Sequence, residues 1–97
     1  MSVYMIIDSK IKNIEKYRQY LDQVTPLVTK YGGRYHVRGE KIKSLEAWKP
    51  ERIIVIKFPT ESHIRSWLAS PEYKAIALLR EQGAETQATL VDGYLNE

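Results

Sequence analysis

Arg34, His36 and Arg38 alternate along one short segment, and Arg52 enters the next apolar run. As a strand, that alternation sets three side chains on one face, close enough to converge on a single anion. Arginine suits a carboxylate or phosphate because its planar fork donates two parallel hydrogen bonds. Arg34, Arg38 and Arg52 are therefore the candidate anion anchors. His36 and Glu46 are the candidate proton carriers, Glu46 as a base if burial raises its pKa. Tyr4, at the start of a strand, and Trp48, in a loop, are free to wall an apolar pocket beside them. The same basic residues have a plainer use, as a solvated edge or as bridges between subunits that keep sheets from pairing wrongly.

Other chemistry is thinly represented. There is no cysteine, and the two histidines, His36 and His63, are too few and too far apart for a metal centre. No glycine-rich phosphate loop, paired-carboxylate motif or Ser/His/Asp signature occurs. No cofactor and no metal are expected. His63 falls in the first turn of a helix, and Asp8 ends a strand as a turn or cap acceptor. Trp67 and Tyr73 could wall an apolar cavity for a ring-bearing substrate together with Tyr4 and Trp48, but they fall at helical positions that belong in a core.

The elements that must position these residues follow from hydrophobic spacing. Val3 to Ile7 is a short continuous apolar run, the mark of a buried strand stopped by Asp8-Ser9. Ile14, Tyr17, Leu21, Val24, Val28 and Tyr31 recur at steps of three and four, so a helix follows, capped by Asn13 and closed by Gly32-Gly33. Pro26 interrupts that helix and predicts a kink or short break, with Thr25 capping a second piece. Tyr35 and Val37 alternate with the basic residues as a half-buried strand, and Lys41 to Glu46 continues it weakly. Arg52 to Phe58 is the clearest strand, rich in β-branched residues. A helix carrying Ile64, Trp67 and Leu68 comes next, and Ser70-Pro71-Glu72 starts another that Gly83 closes. Thr86 to Val91 is a last strand before the Asp92-Gly93 turn.

The order is βαββαβ, the second helix being in two pieces. It predicts an α+β, ferredoxin-like domain spanning residues 1–97, a four-stranded antiparallel sheet with helices on one face. The first and third strands are then central. Both are apolar on both sides: Met5, Ile6 and Ile7 in one, Ile53 to Ile56 in the other. A half-solvated sheet would alternate, and a chain of 97 residues has nothing left to cover the second face. A second copy of the same sheet is the simplest cover, so the expected partner is the chain itself, as a homodimer joined through that face.

Composition bounds the rest. Apolar content of 43% and charged content of 28% are those of an ordinary globular protein. No apolar run approaches the ~20 residues that span a bilayer, and Met1 to Asp8 lacks the features of a leader, so no membrane partner is expected and the setting is read as cytoplasmic. The net charge of +3 is concentrated at residues 30–52. RNA-recognition modules share this strand order, but they need stacking aromatics on the third strand. Ile53 to Ile56 are aliphatic there, so no specific nucleic acid is expected.

An ordered set of short stretches runs the length of the chain: Tyr31-Gly32-Gly33-Arg34, Arg38-Gly39, Leu45-Glu46, Trp48-Lys49-Pro50-Glu51-Arg52, Phe58-Pro59, Trp67, Ser70-Pro71-Glu72-Tyr73, Arg80 and Val91-Asp92-Gly93. In these the chain resembles the family called domain of unknown function 1330, of the dimeric α/β-barrel group. Glu40 and Ala47 stand where that family usually has glycines. The resemblance implies a ferredoxin-like subunit paired sheet to sheet, and no established activity. The expected function is a homodimeric small-molecule-binding domain, with a cofactor-independent enzyme acting on a compact anionic or aromatic substrate as its catalytic form. The alternative is a non-catalytic structural or regulatory interaction domain, recognisable by the lack of an enclosed pocket.

Overall fold

Ile54, Ile56 and Phe58 turn to one side of their strand and are buried, whereas Ile53, Val55 and Lys57 between them are only partly covered. That asymmetry organises the computed structural model, which describes residues 2–95. The elements are β1 (Val3–Ile11), α1 (Ile14–Lys30), β2 (Arg34–Gly39), β3 (Ile53–Phe58), α2 (Glu61–Ala69), α3 (Pro71–Gly83) and β4 (Ala84–Asp92). The strands form one antiparallel sheet in the order β2-β3-β1-β4. This is the α+β, ferredoxin-like arrangement, with β1 and β3 central as expected.

The helices lie on the side to which Ile54, Ile56 and Phe58 point. Tyr17, Tyr20, Val24 and Val28 of α1, Ile64 and Trp67 of α2, and Tyr73 and Ile76 of α3 complete the buried cluster. Each fully buried side chain of this size contributes ~1.5–3 kcal/mol. The helix starts obey the capping chemistry. Asn13 accepts from the Lys16 N–H at 3.1 Å, and Ser70 accepts from the Tyr73 N–H at 3.1 Å. Gly32 closes α1 at φ 89°, a backbone conformation that suits glycine.

Four local expectations differ. First, α1 runs unbroken through Pro26. Val24 and Val28, on either side of it, are 2% and 0% exposed, and their burial offsets the missing N–H. Thr25 caps nothing; its hydroxyl donates back to the Leu21 carbonyl at 2.6 Å. Second, β1 continues past Asp8-Ser9 to Ile11, because β4 pairs with it along its whole length. Third, residues 40–52 form no strand; β2 ends at Gly39 and the chain runs as an irregular loop to Ile53.

The fourth difference decides where the arginines go. Between Tyr35 and Val37 the pairing of β2 with β3 shifts by one residue. An extra residue in one strand reverses the facing of everything after it. Tyr35 pairs with the buried Ile56, but Val37 pairs with Val55 on the uncovered side and is 45% exposed. Arg38 pairs with Ile54 and so faces the helices. Arg34 and His36 therefore do not share a face with Arg38.

The far side of the sheet carries Tyr4, Ile6, Ile53, Val55, Val37 and Val91, with charged and polar residues around them. The 42–50 loop lies against the Ile53 end of this apolar strip, and the molecule is a thin slab of 37 × 34 × 16 Å. Among the described residues, no helix is long and apolar enough to cross a membrane.

Candidate functional site

The expected site residues are dispersed. Arg38 donates through Nη1 to Thr25 Oγ1 of α1 at 2.9 Å and stacks 5.0 Å over the Tyr35 ring. Arg52 donates to Glu40 Oε2 at 2.9 Å, and its guanidinium lies 5.5 Å over the Tyr17 ring. Both have partners within the chain, although Arg52 Nε is buried without one among the described residues. His36 meets the Tyr4 ring edge-on at 5.7 Å on the far face of the sheet. Arg34 is exposed at the β2 edge, and Glu46 is exposed in the loop that follows β2. Trp48 donates from its indole N–H to Asp8 Oδ2 at 3.4 Å, walling a shallow polar groove with Lys10, Lys49 and Glu85. His63 Nδ1 pairs with Thr60 Oγ1 at 2.7 Å, part of the α2 cap.

A more sheltered space lies elsewhere, between the sheet and the helices. A cleft of about 230 Å³ is floored by Met5, Ile7, Ile54 and Ala88 and roofed by Tyr17, Tyr20, Trp67, Leu68 and Tyr73. Ala88 sits on the helix side of edge strand β4 yet is exposed, so the cleft opens toward that edge. A cavity of ~150 Å³ with apolar walls accepts benzene. This one accommodates a single ring with short substituents.

Its roof is an aromatic stack. Phe58 stacks on Trp67 at 5.6 Å, Tyr73 meets Trp67 edge-on at 5.0 Å, and Tyr20 meets Tyr73 edge-on at 6.4 Å. Such rings hold one another in fixed orientation through their quadrupoles. Gly83 lets α3 approach α1, since a Cβ there would lie 2.7 Å from the Tyr17 backbone nitrogen.

The polar groups cluster at one end. Ser9 of β1 pairs directly with Thr86 of β4, and both face the helices. Arg80, in the last turn of α3, donates to Thr86 Oγ1. Ser9 Oγ, Trp67 Nε1 and Arg80 Nε are buried without a hydrogen-bond partner among the described residues. Unmet polar groups of this kind are uncommon and cost free energy until something satisfies them. The Tyr20 and Tyr73 hydroxyls share a hydrogen bond of 3.2 Å. Burial, reinforced by Tyr73, pushes the Tyr20 hydroxyl far above the ordinary tyrosine range, so it stays protonated. No carboxylate or imidazole lines this cleft among the described residues. The cleft therefore combines apolar and aromatic walls with hydroxyl, indole and guanidinium donors.

Sequence reasoning weighed Trp67 and Tyr73 as cavity walls and favoured the core; they are buried in the core and also line the cleft. Arg80 was detectable. It occurs seven residues after Tyr73 and four after Ile76, on the inward stripe of a helix, where a cation is out of place.

Comparison with solved structures gives the same fold. The protein RPA0582, of unknown function, from Rhodopseudomonas palustris superimposes with a TM-score of 0.85 at 12% identity, over 98% of this chain and 84% of that one. SnoaB, a cofactor-independent oxygenase from Streptomyces nogalater, gives 0.70 at 10% identity, over 98% and 95%. A dimeric ferredoxin-like protein of unknown function from Thermobifida fusca gives 0.64 at 15% identity, over 94% and 90%. Among curated proteins none matches. A family model described as domain of unknown function (DUF1330) matches residues 2–94.

Proposed function

We propose, from the premise that this chain belongs to the DUF1330 family, that it is a homodimeric domain binding one compact, ring-bearing organic molecule in each sheet–helix cleft. The observation that carries this is the cleft itself: apolar and aromatic on most of its walls, with a few polar groups gathered at one end. Small-molecule sites have that make-up, because apolar walls supply affinity and a few placed polar groups fix orientation.

The dimer is supported by the apolar strip of Tyr4, Ile6, Ile53, Val55, Val37 and Val91 on the uncovered face. A contiguous patch of that kind marks an interaction surface. The Thermobifida fusca protein of similar fold is described as dimeric. Covering the outer face leaves the cleft, on the opposite side of the sheet, open at the β4 edge.

A catalytic form of this reading draws support from SnoaB, whose cofactor-independent oxygenase activity belongs to the same fold. Without a carboxylate or imidazole in the cleft, such chemistry would rest on a substrate that supplies its own reactive electrons, with the protein orienting it and excluding water.

Amide NMR spectra recorded during titration with 4-ethylbenzamide test the binding reading. Shifts are expected at residues 5–9 and 86–88, the strands that floor the cleft. Leu68→Trp, which fills the space, should abolish them while circular dichroism stays unchanged. Shifts that persist in the filled variant, or that map to the outer face, would overturn the proposal.

A further inference from the structure

Arg80 is a half-buried cation with no anionic partner among the described residues. Among the described residues the ion pairs are Lys30 with Glu72, Arg52 with Glu40 and Arg65 with Glu61. Glu81 and Glu85, close to Arg80 in sequence, are exposed and lie outside ion-pair distance. Of the five N–H donors on the guanidinium, one engages Thr86, and Nε is buried with no partner. Removing a guanidinium from water without an opposite charge is costly. Thr86 meets only part of that cost, and no described carboxylate meets the rest.

The hydroxyl pair adds a second donor. Tyr20 and Tyr73 bring two protons, and one of them lies in the bond between the two oxygens. Whichever residue donates, one proton is left for another acceptor. Tyr20, Tyr73 and Arg80 all line the same cleft, so pair and guanidinium face one space.

Resting on the cleft reading above, we infer that the bound molecule is a planar aromatic carboxylate, its carboxylate accepting from Arg80 and from the Tyr20–Tyr73 pair. Its ring lies against Trp67 and Leu68. A guanidinium fork matches the two oxygens of a carboxylate. A phosphate dianion would ask for more donors than one guanidinium and one hydroxyl provide. The volume of about 230 Å³ limits the ligand to one ring with a short substituent.

Calorimetric titration with 4-ethylbenzoate and with its uncharged isostere 4-ethylbenzamide tests this. In the unmodified protein the carboxylate should bind roughly 10- to 100-fold tighter, the size of a hydrogen bond to a charged group. Arg80→Met should remove that preference and leave amide binding in place, and Arg80→Lys should restore part of it. If Arg80→Met does not fold, the ratio in the unmodified protein decides alone. Equal affinity for the two compounds would overturn the carboxylate assignment while the cleft reading stands. Binding of neither would sink both. Tighter binding of ethyl phosphate than of 4-ethylbenzoate would replace the aromatic acid with a phosphate ester and overturn the assignment.

Discussion

The hydroxyls of Tyr20 and Tyr73 lie 3.2 Å apart and tie α1 to α3 inside the helix layer. Each residue is 8% exposed, so each oxygen has little recourse to water. Tyr73→Phe should destabilise the fold by about 1–2 kcal/mol, because it strands the Tyr20 hydroxyl in an apolar setting. Tyr20→Phe with Tyr73→Phe should cost less than the two single changes added together. Urea unfolding of the four proteins measures this, and strict additivity would show that the oxygens do not interact.

The same pair carries an alkaline signature. Burial raises the Tyr20 hydroxyl above its ordinary value of 10.0. A group raised in the folded state supports folding fully below its unfolded pKa and loses that support as pH climbs beyond it. Stability should therefore fall above pH 10, where the unfolded chain ionises first. Tyr20→Phe should flatten that limb in melting curves from pH 9 to pH 11. An unaltered slope would mean Tyr20 ionises as freely folded as unfolded.

Gly33 and Gly39 offer a controlled comparison. A Cβ on Gly33 would come within 2.7 Å of the Phe58 ring and of Val28 Cγ1, and both of those residues are 0% exposed. Gly33→Ala should therefore cost about 1–3 kcal/mol by overpacking. Gly39 has nothing within 4 Å of that position. Gly39→Ala should fall within ~0.5 kcal/mol of the parent. Equal effects in denaturant would argue against the close contact of the β2 start with the core.

Glu72 joins α3 to the end of α1. Its carboxylate accepts from Lys30, and at 2.7 Å from the Tyr31 hydroxyl. The Lys30 hydrogen bond, then the Tyr31 one, hold Glu72 below its ordinary value. Lys30 is raised by the same contact. A depressed carboxylate supports the fold above its unfolded pKa and loses that support as pH falls through the folded one. Glu72→Gln should lower Tm at pH 7 by a small, salt-sensitive amount, and the difference should vanish near pH 2. A gap that persists in acid would assign the effect to packing instead.

Val55 sits in the middle of the uncovered sheet face, paired with Ile6 and Val37. If two sheets meet there, Val55→Glu buries an unpaired charge at the contact and should convert a dimer of twice 11.3 kDa into a monomer. Light scattering reads the mass directly. A parent protein already of 11.3 kDa at micromolar concentration would remove the dimer from the proposal.

Local spacing was enough to establish the order of elements, the caps at Asn13 and Ser70, the close at Gly32 and the central placement of two strands apolar on both sides. Those features depend on neighbours within a few residues or on a simple period, and a single chain displays them openly. The facing of Arg38 was not legible, because the shift at His36 exists only in the pairing of β2 with β3. Alternation in the sequence continues undisturbed through a bulge that reverses it in space. The cleft was hidden for a related reason: a gap between two layers depends on which side chains fall short of meeting, and residues from β1, β3, β4 and three helices define it jointly. Arg80 stands between the two cases. Its helical position reveals an inward cation, but only tertiary packing leaves that cation beside an open space and without an anion.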